Sequence, residues 1–182
     1  MKYFEEKQIV KLKQTDIDKA RKFANDVVNT VDYGDSNQFS KTKIKEDHFV
    51  SKLGEEAVKK VFENLGKKVE GPDYEIYAQK EKSWEADLKI DGVDLAVKTQ
   101  KKSTAQRYGL SWTFQSSSYR KDPILKNPNN EVCFVECDDT SDYACTVYPP
   151  YQVKELTFKD PVLPHLKGKK QVVYETDLPN ND

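Results

Sequence analysis

The chain has 182 residues, of which 34% are charged and 11% aromatic, a composition that belongs to a folded domain with a substantial core and excludes a disordered chain. The formal net charge of -1 carries no argument for nucleic acid by itself, so any polyanion contact must come from local clustering of charge. No apolar run approaches the roughly 20 residues that span a bilayer, and the first 13 residues space their charges too closely for a secretory core, so a cytoplasmic protein without a membrane partner is expected.

Residues 1 to 13 show no periodic signal. From Thr15 to Val31, Ile17, Ala20, Phe23, Ala24, Val27, Val28 and Val31 recur at helical spacing, with Thr15 and Asp18 as a capping box. Lys19, Arg21 and Lys22 then lie on the outward face. Asp32 to Glu46 is polar, carries Gly34, Ser36, Asn37 and Ser40, and reads as a loop. Residues 1-46 are therefore expected to form an N-terminal helical extension of a single domain spanning 1-182.

A second helix is expected from Ser51, its N-cap, to Leu65, stopped by Gly66. Leu53, Gly54, Ala57, Val58, Val61, Phe62 and Leu65 form its buried stripe. At about 100° per residue, Glu55 lies at the edge of that stripe and Glu56 almost opposite it. Lys67 to Gln79 reads as a strand region broken by Gly71-Pro72, with Tyr74, Ile76 and Ala78 on one face.

The centre of the chain is Ser83 to Gln100. Two alternating runs are separated by Asp91-Gly92, a pair suited to the positive φ angles of a type I′ turn, which predicts a β-hairpin. Glu85, Asp87 and Lys89 share one face of the first strand. Asp94, Ala96, Lys98 and Gln100 share one face of the second, while Leu95, Val97 and Thr99 face the other way. A carboxylate and an ammonium on adjacent strands, flanked by apolar residues, suit a divalent metal and a phosphate.

At these residues the chain resembles the PD-(D/E)xK nuclease superfamily, in particular a small type II restriction endonuclease. The resemblance implies an α/β, restriction-endonuclease-like core: a mixed β-sheet, with a β-meander plus further strands, flanked by α-helices. It assigns Asp87 to the metal and Lys98 to activation of water. Ala96 stands where the family usually carries an acid. Either Glu55, which directly follows Gly54 as in the helix of many family members, or Asp94 replaces that acid, or Ala96 is an inactivating Glu-to-Ala substitution. Pro72-Asp73 with Asp87-Leu88-Lys89 also spells the motif literally. The register with Lys98 is preferred, because the (D/E)xK strand comes third in the fold and Lys89 sits almost at the turn.

From Lys98 to Lys126 the chain carries Lys98, Lys101, Lys102, Arg107, Arg120, Lys121 and Lys126 against Asp122 alone, and acidic residues dominate from Glu131 to Asp142. Lys101, Lys102, Arg107, Arg120 and Lys121 are the candidate DNA contacts. Tyr108, Leu110, Trp112 and Phe114 alternate as in a core-facing strand, which is preferred over base stacking by Tyr108 or Trp112. Val132 to Glu136, Ala144 to Tyr148 and Val172 to Tyr174 read as further strands. Cys133, Cys137 and Cys145 lie in or beside these runs and are expected reduced and packed, without the fourth ligand a zinc site needs.

The resemblance implies a Mg²⁺-dependent DNA endonuclease, with Mn²⁺ as substitute, acting on double-stranded DNA to leave 5′-phosphate and 3′-hydroxyl ends. Asp87, Glu55 and the Val97 carbonyl would hold the metal, Lys98 would orient or deprotonate water, and Gln100 would steady it. A homodimer is the simplest geometry for cutting both strands. Two rival readings are a catalytically inactive nucleic-acid-binding module of the same fold and a protein-interaction domain.

Overall fold

Residues 3–29, 40–77 and 86–179 are described in the computed structural model of the chain. In chain order they form β1 (Gln8–Val10), α1 (Gln14–Val27), α2 (Lys41–Asn64), β2 (Val69–Glu70), β3 (Leu88–Ile90) and β4 (Val93–Lys101). There follow α3 (Lys102–Tyr108), β5 (Ser111–Gln115), β6 (Glu131–Cys137), β7 (Cys145–Val147), β8 (Tyr151–Gln152) and β9 (Lys170–Tyr174), with short 3-10 turns between them. The main sheet has the order β1-β7-β6-β4-β3-β2, with β8 also on β6, and β5 pairs with β9 in a separate ribbon. β2, β3 and β4 are an antiparallel meander, whereas β4 and β6 run parallel. The architecture is mixed α/β.

Two cores lie on opposite faces of this sheet. On one face Phe49, Leu53, Ala57, Val58 and Phe62 of α2 meet Leu88, Ile90, Leu95 and Val97, with Ala20 and Ala24 of α1 behind them. On the other, Trp112 and Phe114 of β5 and Val173 of β9 cover Val132 and Phe134. Trp112 stacks on Phe134 with ring centroids 4.4 Å apart, and its Nε1 donates to the Val135 carbonyl at 2.9 Å. The buried indole is thus core rather than a stacking platform. β6 is covered on both faces, which is why Val132 to Val135 is a continuous apolar run. The three cysteines are free and buried.

The hairpin forms as its turn residues dictate, with Asp91 at φ 48 and Gly92 at φ 83. Its first strand is shorter than expected. The ladder begins at Leu88, opposite Leu95, and residues 83–85 lie outside the described residues. The strand expected over 67–79 shrinks to Val69–Glu70, because Gly71 turns at φ 98 and Pro72 has no N–H to continue a ladder. Ala78 is likewise outside the described residues. Tyr108 ends α3 instead of opening a strand, and Gly109 at φ 86 redirects the chain into β5.

The helix ends also differ from expectation. α2 starts ten residues before Ser51, capped by Ser40, whose Oγ accepts from the Lys43 N–H at 3.3 Å. Its first turns are polar except for Ile44, so no apolar periodicity marks them in the sequence. At α1 the capping acid is Asp16, which accepts from the Lys13 N–H at 3.3 Å, while Asp18 accepts from Gln14 Nε2 at 2.9 Å. Residues 30–39, including the end expected for that helix, are outside the described residues. β1 pairs with β7, and Arg21 of α1 lies 3.4 Å from the Phe49 ring centroid and bonds Glu46, so residues 3–29 share the sheet and its core.

Candidate active site

The register of β3 on β4 sets the site. Leu88 pairs with Leu95, and Asp87 lies in the bend that precedes this ladder. Asp87 Oδ2 accepts from the Val97 N–H at 2.7 Å. In a strand the N–H and C=O of one residue point to the same edge, so the Val97 carbonyl also faces the β3 side. The methyl of Ala96 packs against the Trp112–Phe114 core, and no carboxylate stands there.

Glu55 enters from α2. It is only 3% exposed, its Oε2 lies 2.6 Å from Lys52 Nζ, and its Oε1 accepts from Ser51 Oγ at 3.3 Å. Burial raises its carboxyl to about 8, and the nearby Asp87 charge pushes the same way, against the weaker attraction of Lys52 and Ser51. The two predicted carboxylates are therefore close enough to repel. Ser51, expected as an N-cap, serves here as a partner of Glu55. Glu56, expected almost opposite the buried stripe, is buried as well, because Tyr74 folds over it and donates to its Oε1 at 2.8 Å. Burial and that bond raise the Tyr74 phenol well above its ordinary range.

Gly54 lets α2 come this close. A Cβ at residue 54 would stand 1.8 Å from Thr99 Oγ1 and 3.0 Å from Thr99 Cβ. The helix would have to lift from β4, carrying Glu55 away from Asp87. Gly54→Ala is expected to cost about 3 kcal/mol, lowering the melting temperature by roughly 10 °C. Gly54→Ala with Thr99→Ala should recover part of the loss; thermal melts of both variants check it.

Lys98 is ion-paired with Asp122, and its ammonium lies 4.9 Å from the Phe114 ring centroid. Asp122 is itself fixed, since its N–H donates to the Gln115 carbonyl at 2.8 Å and its carboxylate accepts from the Ile124 N–H at 3.3 Å. Gln100 shares the Lys98 face and braces β4 against β5. Its Oε1 accepts from the Ser111 N–H at 2.9 Å and its Nε2 donates to the Gly109 carbonyl at 3.4 Å, tying β4 to the start of β5.

The basic residues divide into two groups. Lys101, Lys102 and Arg107 lie at or on α3, where Asp138 pairs with Lys102 at 2.9 Å and Asp139 accepts from the Ser103 N–H at 2.9 Å. The acidic segment that follows β6 thus neutralises part of the basic stretch. Arg120 and Lys121 lie on the loop after β5, next to Asp122. The literal motif spelling is engaged elsewhere: Asp73 accepts from Tyr77 Oη at 2.6 Å, and Lys89 reaches Asp94 at 3.8 Å near the turn. Asp94, the alternative acid, is exposed in that pair. From the sequence no role falls to Lys52 or Lys170, and Asp122 stands only as the lone acid of the basic stretch. Lys52 had a signal, standing three residues before Glu55 on a helix; the other two had none.

Among the described residues, no group of three or more His, Cys, Asp or Glu side chains is placed to hold a metal ion. The oxygens of Glu55, Asp87 and Val97 are nevertheless of the donor type that a hard divalent cation takes, and such a charge would offset the Asp87 repulsion on Glu55. No helix among the described residues is long and apolar enough to cross a membrane. Comparison of the chain with protein-family models, with curated proteins and with solved structures gives no match.

Proposed function

We propose that the chain is a cytoplasmic Mg²⁺-dependent DNA endonuclease with a restriction-endonuclease-like core. The observation that carries this reading is the closeness of the Glu55 and Asp87 carboxylates, with Asp87 bonded to the Val97 N–H beside Lys98. The element order supports it too: a helix, an antiparallel meander of three strands with Lys98 on the third, then α3 and a parallel strand.

Asp87, Glu55 and the Val97 carbonyl would hold Mg²⁺. When bound, the cation supplies electrostatic stabilisation of charge developing on the phosphate. Lys98, kept in place by Asp122 and Phe114, orients the attacking water through its ammonium. Gln100 maintains the β4–β5 geometry behind it. Two copies of the chain are the simplest arrangement for cutting both strands.

A second reading, a binding module without catalysis, is favoured by one observation: the Lys98 face of β4 carries Ala96 where a second acid would complete the donor set. Incubation of supercoiled and linear DNA with Mg²⁺ or Mn²⁺ separates the two. The endonuclease reading expects discrete metal-dependent products that EDTA abolishes and that Lys98→Met slows by about a hundredfold or more. Ala96→Glu adds a third carboxylate: a large gain in cutting identifies Ala96 as an inactivating substitution, and no gain over a parent that cuts supports Glu55 or Asp94 as its replacement. No cutting by either the parent or Ala96→Glu leaves the binding module.

A further inference from the structure

Lys170, the first residue of β9, has a half-buried side chain whose ammonium makes no hydrogen bond or ion pair among the described residues. It stands opposite Gln115 at the end of the β5–β9 ribbon. The chain leaves Gln115 through Ser116, whose N–H donates to the Lys169 carbonyl at 2.9 Å, and returns through a Ser116–Lys121 bridge to Asp122, which bonds back to Gln115 at 2.8 Å. Ser117 holds the turn, its Oγ accepting from the Arg120 N–H at 3.0 Å. This path brings Arg120, and through Asp122 the Lys98 ammonium, to the side of Lys170.

The crowding has an electrostatic signature. Burial and the charges of Lys43, Lys98 and Arg120 depress the Lys170 pKa, and Asp47 opposes them only in part. The carboxylates facing the cluster are already engaged, Asp122 by Lys98 and Asp47 by Lys43 at 3.9 Å. Among the described residues, Lys43, Lys98 and Lys170, from α2, β4 and β9, therefore meet two carboxylates, Asp47 and Asp122, with Arg120 on the loop beside them. Tyr119, at the tip of the same loop, is 99% exposed. An ammonium without a partner among the described residues, set among cations, suits a nucleic-acid phosphate better than a protein carboxylate.

We infer that Lys170, with Lys43 and Arg120, forms a second phosphate site that grips the DNA backbone at a phosphodiester neighbouring the one presented to Lys98. This site rests on the endonuclease reading for its partner, and its contact is independent of base sequence. The test is fluorescence anisotropy of two unrelated duplexes, without divalent metal, across a salt series, comparing the parent chain, Lys170→Met and Lys170→Arg.

Lys170→Met is expected to weaken both duplexes by a similar factor, about 3- to 30-fold, and to reduce the slope of log K against log salt by about one, with Lys170→Arg restoring both. Its thermal melt should match or exceed that of the parent, since a crowded, partly desolvated charge has been removed. Parent-like affinity and slope in Lys170→Met overturn the site, even if the parent cuts DNA. A Lys170-dependent slope in a protein that never cuts keeps the site and removes the nuclease. Absence of salt-dependent binding by the parent overturns the site outright.

Discussion

Asp87→Asn is expected to lower metal-dependent DNA cleavage on the order of a thousandfold, with folding and metal-free DNA binding preserved. Asn is the informative replacement because Asp87 has two functions. Its Oδ2 closes the Val97 N–H at 2.7 Å, a charge-assisted bond that organises the start of the β3–β4 ladder. Asp87→Ala would leave that N–H unpaired and cost about 1.5–3 kcal/mol, so lost activity would mix chemistry with misfolding. The Asn carbonyl oxygen can still accept from Val97 and removes only the negative charge. Single-turnover cleavage in Mg²⁺ and duplex binding without metal measure the two properties separately. Parent-like cutting by Asp87→Asn would remove the endonuclease site from this edge of the sheet.

The stability of the protein should fall as pH rises from about 4.5 to about 8, and Glu55→Gln should abolish the part of that slope due to Glu55. The folded carboxyl titrates near 8 against an ordinary value of 4.5, so between them the native state keeps a proton that the unfolded chain has released. The unfolded state binds fewer protons in this window, and stability declines with pH until both states are ionised. Above about 8, Glu55→Gln should exceed the parent by on the order of a few kcal/mol; at pH 4 the two should be similar. Denaturant melts across this range test the sign.

Metal binding is linked to the same proton. A cation held by Glu55 requires its ionised form, so below about 8 the affinity should drop about tenfold per pH unit, with release of about one proton. Calorimetry in buffers of different ionisation enthalpy reads that proton, and Glu55→Gln should lose both the proton release and most of the affinity. Equal pH slopes for parent and Glu55→Gln would exclude Glu55 as the buried, proton-holding member of the pair.

Local chemistry was legible where neighbours along the chain decide it. Asp91-Gly92 specified the turn because few other pairs take two positive φ angles cheaply. The period-2 pattern of Val93 to Gln100 then sorted Leu95 and Val97 from Ala96, Lys98 and Gln100. Gly54-Glu55 on a helix before the strands pointed to Glu55. The start of α2 was not legible, since Lys41 to Asp47 buries only Ile44 and carries too little apolar periodicity to be distinguished from a polar loop. Glu56 was misread for a related reason: a helical wheel gives the direction of a side chain, whereas Tyr74, which covers it, comes from another segment.

By itself the sequence determined the hairpin, the faces of β4, the alternation that buries Trp112 and Phe114, and the helix that carries Glu55. These follow from backbone preferences and spacings of two to four residues. Only the tertiary structure decided how the charges are partnered: Asp122 on Lys98, Asp138 on Lys102, Asp87 against Glu55, and Lys170 among Lys43, Lys98 and Arg120. Coulomb interactions and desolvation depend on distance and burial in space, and the fold brings together charges as far apart in sequence as Lys43 and Lys170, so no local pattern in the chain could contain them.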